Sequence, residues 1–598
     1  MTLLQTDASA LAAKSGLFDR KGGIPVAFDG CAGFLHPARG NVGVLMISPW
    51  GFEEFTIRQG WRRLAETLAA AGFACLRFDL PGTGDSLGHN SDIIDVNDWL
   101  SAVEKAAQFL RESTVIEHLV VLGQGLGALL GVEMVDKISA GALIALAPMP
   151  GGRSGVRELE LWGAMVASAL RIPVELDAND ALNIGGFRLS KPLVEQLKSL
   201  KPESSGLETV ASALVLAREH RPSDADFAAS LVAHGVAVTV QNFEGYDAFV
   251  AHLETPRAPV DDFAKISAWL EQKFPDRGEQ EGRDLPIGDA VLRQDRDGFS
   301  EEALCFGPNG RLYGVLCLPH GARRATVIIP NSGYNPHVGW ARGHVALARR
   351  LASIGIATLR MDCASLGDSD TAPDSPPDVL YSQVQIDDVG HAIDMVCARQ
   401  AGPVIVAGRC SGAYIAGLAA ESDPRISGLV SINALRLIWN PDETLEQAMA
   451  GGSGSLGSYG ARALSRDTLV RLVTFQLPVV SLARKVAAKM GAKLNSKLVG
   501  LTGDLTLLGR LRGQVRARFF GFEQRRVQVG LVYAQGDGGL DELAKYCGGG
   551  GVWLTRFPNV TLRTVDDADH NMTAGHAQIA IFEEIAKVIQ RVETLNPK

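Results

Sequence analysis

Two stretches of the chain, "LAAAGFACLRFDLPGTGDS" from Leu68 and "LASIGIATLRMDCASLGDS" from Leu351, follow one plan. Each reads as the glycine-closed end of a helix, a short strand, and a glycine-rich turn carrying Gly-Asp-Ser. Asp79 then corresponds to Asp362, and Asp85 to Asp368. At nearly the same distance after each copy, an apolar stretch runs through small residues into helical sequence: "LVVLGQGLGALLG" from Leu119 and "PVIVAGRCSGAYIA" from Pro403. A strand, turn and helix succession repeated in this order makes the chain a tandem of two related α/β domains. Its 598 residues also exceed what one hydrophobic core holds.

Between the copies, "KFPDRGEQEGRDLPIGDAVLRQDRDG" is charged, rich in Gly and Pro, and without apolar periodicity. The expected division is therefore residues 1–274, a linker over 275–298, and a second domain over 299–598. The second domain opens with "EEALCFGPNGRLYGVLCLP", two alternating segments about a Pro-Asn-Gly turn, which predicts an antiparallel hairpin. Strands alternating with helices thereafter imply a mostly parallel sheet flanked by helices.

Apolar residues make up 46% of the chain and charged residues 21%, the balance of a soluble globular protein. No apolar run is long enough to cross a bilayer, and the N-terminus lacks the basic start and apolar core of a signal peptide. The eight cysteines are scattered, without zinc or disulfide spacing, so the expected compartment is the reducing cytoplasm. A net charge of −9 argues against nucleic-acid binding.

The segment at Cys410 has the outline of a nucleophile elbow, G-x-S-x-G, with cysteine in the serine position. Small residues must flank such a nucleophile because the turn brings backbone and neighbouring strands close together, and Gly408, Gly412 and Ala413 supply them. A thiolate forms far more readily than an alkoxide, so cysteine is competent there. An inert buried cysteine is the alternative. In the first domain the same position is Gly125, which has no side chain to attack anything.

Through these elbows and the segments that follow them, both halves resemble the α/β-hydrolase superfamily. "GYNPHVGWARGHVALARRLASIGIATLRMDCASLGDSD" is further similar to the exosortase-associated hydrolases of bacterial exopolysaccharide loci, and "SPWGFEEFTIRQGWRRLAETLAAAGFACLRFDLPGTGDS" to the partner type from the same loci. The resemblance implies two tandem α/β-hydrolase domains, each with a helical lid, and the chain order nucleophile, acid, histidine. Asp537, in "VQVGLVYAQGDGGLDEL", falls where the acid does, with Asp541 close by and helix capping as the competing use of either. His570 falls in the loop after the last strand, where the general base belongs, whereas His576 lies toward the closing helix. Ser411 and Tyr334 would supply the oxyanion N–H groups, Tyr334 being readily confused with Gly333. Gly333, His337, Arg342 and Arg409 are candidate substrate-binding residues, although solvent exposure explains the polar loop residues equally well. The implied activity is an acyl hydrolase or acyltransferase that needs no metal or organic cofactor. Superfamily members with cysteine at the elbow also include polyester synthases, dienelactone hydrolases and aminoacyl shuttles between carrier proteins.

The first domain has Tyr246 where histidine would follow glycine, His252 several residues too late, and Asp224 alone at the acid position. It reads as a pseudo-hydrolase, and a non-catalytic scaffold is the rival reading for the whole chain. In the second domain the lid is expected over about 436–526. Between Ala461 and Arg526 it has 14 Lys plus Arg against 3 Asp plus Glu, in an otherwise acidic chain. Positive potential of this kind attracts anionic ligands. The partners it admits are an acidic carrier protein, coenzyme A, an anionic glycan or an anionic membrane surface, beside a small-molecule acyl substrate.

Overall fold

The computed structural model describes residues 22–89, 93, 95–170, 180–201, 206–251, 257–276, 278, 288–399, 402–440 and 506–595. Most of the expected lid, 441–505, and His252 therefore lie outside the described residues. The chain divides into two compact units, Met1–Ala322 with Tyr334–Pro373, and Arg323–Gly333 with Asp374–Lys598.

In the first unit an eight-stranded sheet runs in the order Ile24–Phe28, Cys31–His36, Ala74–Phe78, Val42–Ile47, His118–Gln124, Ala142–Leu146, Ser212–Ala217, Ala237–Asn242. Its first three strands pair antiparallel and the remainder parallel. Buried on both faces, the strands are near-continuous apolar runs. Alternation along Val42–Ile47 sends Val42, Val44 and Met46 to a core shared with Trp61, Leu64 and Ile266, and Leu45 and Ile47 to one shared with Trp99, Leu110 and Leu129. Between Ala142–Leu146 and Ser212–Ala217 the chain inserts the helix Gly152–Leu170, a two-stranded ribbon and the helix Lys191–Leu197. The expected hairpin is present, Phe299–Phe306 pairing antiparallel with Leu312–Pro319, which pairs in turn with Ile356–Asp362. Asn309 at φ 54° makes its turn. Val291–Gln294, inside the stretch expected as linker, is a strand paired with the hairpin.

Both Gly-Asp-Ser turns fold alike. Asp79 accepts the Asp85 N–H at 2.9 Å and Asp362 accepts the Asp368 N–H at 2.9 Å, while Ser86 and Ser369 donate to the Asp79 and Asp362 carbonyls at 2.6 Å. Each turn is then completed by residues of the other copy. Arg58 donates to Asp79 at 2.9 and 3.1 Å and to Asp368 at 3.0 Å. His337 bridges Asp362 at 2.7 Å and Asp85 at 2.6 Å. Arg77 pairs with Asp368 and Arg360 with Asp85, both at 2.7 Å. Every one of these side chains is buried, and the alternation of sign is what makes so many buried charges tolerable.

In the second unit Ala325–Ile329, Val404–Arg409, Ile426–Ile432, Gln528–Ala534 and Val560–Val565 pair parallel in that order. The helix Gly575–Leu595 packs on the Ile426–Ile432 and Gln528–Ala534 strands. Among the described residues no helix is long and apolar enough to cross a membrane.

Candidate functional site

The strand Val404–Arg409 is wholly buried and ends in a sharp turn at Cys410, φ 56° and ψ −120°, from which the helix Ser411–Ser422 starts. A non-glycine residue in this region of backbone space is strained. The turn closes only because its flanks are glycine. A Cβ on Gly408 would lie 2.1 Å from the Gly412 carbonyl oxygen, and one on Gly412 would lie 2.4 Å from that of Asn331. The thiol is thereby half-buried at a helix N-terminus, where Ser411 N–H donates to the sulfur.

His570 follows the last strand and is hydrogen-bonded to the Cys410 sulfur. Its Nδ1 lies 2.7 Å from Asp537 Oδ2. Asp537 also caps the helix Gly538–Cys547, its Oδ1 accepting the Gly539 N–H at 2.8 Å. Capping and orienting the histidine are thus not alternatives: one oxygen serves each. Asp541 lies exposed on the first turn of that helix, and His576 is exposed with its Nε2 at the Asp566 carbonyl.

Burial alone would raise the Cys410 pKa, but the charge of His570 and its hydrogen bond, with help from Arg409, carry it below the usual thiol value. Burial likewise opposes a charge on His570, and the charge of Cys410 together with the Asp537 hydrogen bond pushes its pKa up to about 10. The three groups can therefore hold a thiolate–imidazolium pair oriented by a carboxylate.

Arg409 and Gly333 are built into this frame. Arg409 is buried and its Nη1 donates to the His570 carbonyl and to Asn571 Oδ1, so it braces the histidine loop. Gly333 N–H is spent on Ser411 Oγ at 2.8 Å. The expectation that His337 and Arg342 face the substrate is corrected by their surroundings in the first unit. Both His337 nitrogens are taken by Asp362 and Asp85. Arg342 fans its guanidinium over the Gly82, Gly84, Ser86 and Gly88 carbonyls at 2.7–2.9 Å. Tyr334 opens the segment that belongs to that same unit. His337, Asp362 and Asp368 lie near enough to share an ion, yet Arg58, Arg77 and Asp85 already answer their charges.

One contributor escaped the sequence reading. Asn433, at φ 44°, donates to the His570 carbonyl at 2.9 Å and accepts the Ala534 N–H at 2.8 Å, tying the histidine loop to the strand that leads to Asp537. The matching residue of the first unit is Ala147, at φ 43°, which has the backbone bend and no side chain to tie anything. That contrast between copies was the available signal.

The first unit retains the elbow with glycine at its apex. Gly125 has φ 53° and ψ −119°, nearly the angles of Cys410. Asp224 is buried and paired with Arg218, and the Tyr246 hydroxyl lies 3.4 Å from Glu53.

Residues 58–181 match the family described as Serine aminopeptidase, S33 (Hydrolase_4), a span that includes Gly125 and not Cys410. A search of curated proteins returned no match. Among solved structures the chain is similar to Est1E from Butyrivibrio proteoclasticus with ferulic acid bound, at 14% identity over 42% of this chain and 98% of that one, TM-score 0.31. It is also similar to the Pyrococcus furiosus esterase PF2001, at 14% identity over 50% and 94%, TM-score 0.31. A third is the α/β hydrolase GrgF from Penicillium, at 17% identity over 42% and 96%, TM-score 0.29. Two sheet-bearing units, each mostly parallel, flanked by helices and turning through an elbow into a helix, have the α/β-hydrolase fold.

Proposed function

We propose that the protein is an acyl hydrolase or acyltransferase acting on an ester or thioester through a covalent thioester on Cys410. The observation that carries this reading is the hydrogen-bonded succession Cys410, His570, Asp537 at a strained elbow. The thiolate adds to the acyl carbon, and Ser411 N–H at the helix N-terminus stabilises the oxyanion. Collapse of the adduct breaks the bond to the leaving alcohol or thiol, which takes the proton from His570. Water or another nucleophile then returns a proton to His570 as it attacks the thioester, freeing Cys410. Asp537 holds the imidazole in the orientation both steps need.

The resemblance to exopolysaccharide-locus hydrolases favours an acylated glycan or lipid-linked intermediate as substrate. The excess of Lys and Arg between Ala461 and Arg526 favours an anionic acyl donor such as an acidic carrier protein. Incubation with a p-nitrophenyl ester and with an acyl thioester, followed by peptide mass spectrometry, should find the acyl group on Cys410 and nowhere in Cys410→Ala. An adduct on Ser411, or none with either donor, would overturn the assignment and leave the scaffold reading.

A further inference from the structure

In the first unit's sheet Ala237–Asn242 is the last strand, bonded on one side only, to Ser212–Ala217. Ala237 and Phe243 N–H donate to the Ala211 and Ala217 carbonyls at 3.2 and 2.8 Å, so the odd-numbered residues turn their N–H and C=O groups to that neighbour. Val238, Val240 and Asn242 turn theirs outward. Lys265 Nζ takes the Asn242 carbonyl at 2.8 Å, and among the described residues nothing takes the N–H or C=O of Val238 or Val240. The side chains along this open ladder carry no charge either: the strand reads Ala-Val-Thr-Val-Gln-Asn, and Val240 is 53% exposed.

The helix Pro222–Ala233, which packs on the last two strands, continues this surface. It buries Phe227, Ala228 and Leu231 and exposes Ala225, Ala229, Val232 and Ala233, with Asp226 as its one exposed charge. Val238 packs against the same core as Phe227 and Leu231, so Val240, two residues on, stands on the helix side of the strand as well. The second unit treats the equivalent place differently. Its last strand, Val560–Val565, carries Arg563, ion-paired with Glu583 at 2.8 Å, and the helix Gly538–Cys547 before it exposes Asp541 and Lys545. Charges of this kind keep a sheet edge from pairing with another chain. One copy of the plan has its edge guarded, and the other has it open.

We propose that a second copy of this chain pairs here, the strand Ala237–Asn242 lying antiparallel to its own counterpart about a two-fold axis. An edge that offers a donor and an acceptor at every second residue is complementary to itself when reversed, so an identical strand satisfies it. Charge points to the same occupant. Each chain carries a net −9, and two copies meet most readily where that charge is absent. The axis that reverses the strands also runs the Pro222–Ala233 helices antiparallel, which brings Asp226 of one copy toward the His234 end of the other. The eight-stranded sheet of each copy then continues into that of its partner, and Ala229, Val232 and Val240 leave water together. The pairing involves neither Cys410 nor the acyl chemistry proposed there.

Sedimentation velocity of the full-length protein over a micromolar concentration series should find a reversible dimer. Val240→Lys, which sets like charges across the axis, should weaken it at least about tenfold. Val240→Pro should weaken it as much, because it removes an N–H that no described residue accepts and that the partner strand would. Both variants should keep the wild-type melting temperature at low concentration and label normally at Cys410, since the altered side chain is exposed in the monomer. Hydrogen exchange needs no variant: amide protection over residues 237–242 should rise with wild-type concentration, while that over 560–565 should not. A monomer at every concentration, a dimer that either Val240 variant leaves as tight as the wild type, or protection over 237–242 that does not change with concentration would overturn the proposal.

Discussion

Below the ordinary thiol range Cys410 holds a negative charge only while His570 keeps the proton, and the direction of both shifts sets the pH range in which that holds. The thiol ionises above its lowered pKa and the imidazole stays protonated up to about 10. The reactive pair therefore exists between those limits, and its two apparent values belong to the pair. Iodoacetamide labelling of Cys410 should proceed at pH 7, below the ordinary thiol range near 8.5. His570→Ala should shift the labelling midpoint upward to that range. Asp537→Asn should lower kcat with any accepted ester by about 10²-fold or more, with a smaller change in KM, because the imidazole loses its orientation. An unshifted midpoint in His570→Ala would show that the histidine does not govern the thiol. The local residues of this site were legible because chain order and a strand-end position identify them. His337 was not, since a polar loop residue gives no hint that its partner lies 252 positions away. Nor was it legible that Arg409 Nη1 reaches a loop 162 residues later.

At the level of elements, the two Gly-Asp-Ser turns show how one motif can read as a site and serve as a joint. Strand, turn and helix were legible from glycine placement and apolar runs. The exchange of partners between copies was not, because repeats reveal likeness and not pairing. Burial opposes the charge on His337, but Asp85 and Asp362 more than compensate and push its pKa up to about 10. A histidine whose folded pKa is raised stabilises fully below its unfolded value near 6.5 and loses that contribution as pH rises through about 10. The melting temperature of the wild type should accordingly fall between pH 8 and 10.5. His337→Asn should be destabilised at pH 7 by about 3–5 kcal/mol, the cost of leaving a buried charge unpaired, and its alkaline fall should be shallower. Arg342→Ala should also lower the melting temperature, because four turn carbonyls lose donors at once, and Arg342→Lys should recover little since an ammonium cannot reach all four. An Arg342→Ala protein that melts like the wild type would show that water replaces the guanidinium without loss.

For the molecule as a whole, the tandem was plain from the repeat, and the difference between the two elbows from Gly125 and Cys410. What the sequence concealed is that neither copy's turn is complete alone. The peptide connection between the copies should then be dispensable once the chain has folded. Residues 1–275 and 288–598, expressed as separate polypeptides in one cell, should co-purify as an equimolar pair, held by Arg58 on Asp368, His337 on Asp85, Arg342 on the 82–88 carbonyls, and Phe34 against Tyr313. High salt should part them less readily than it parts exposed ion pairs, since these charges are buried. Asp85→Asn with Asp368→Asn should leave each fragment soluble or aggregated by itself, but not paired. If the pair forms, a gene arranged this way tolerates fission, the protein assembling from two separately encoded pieces.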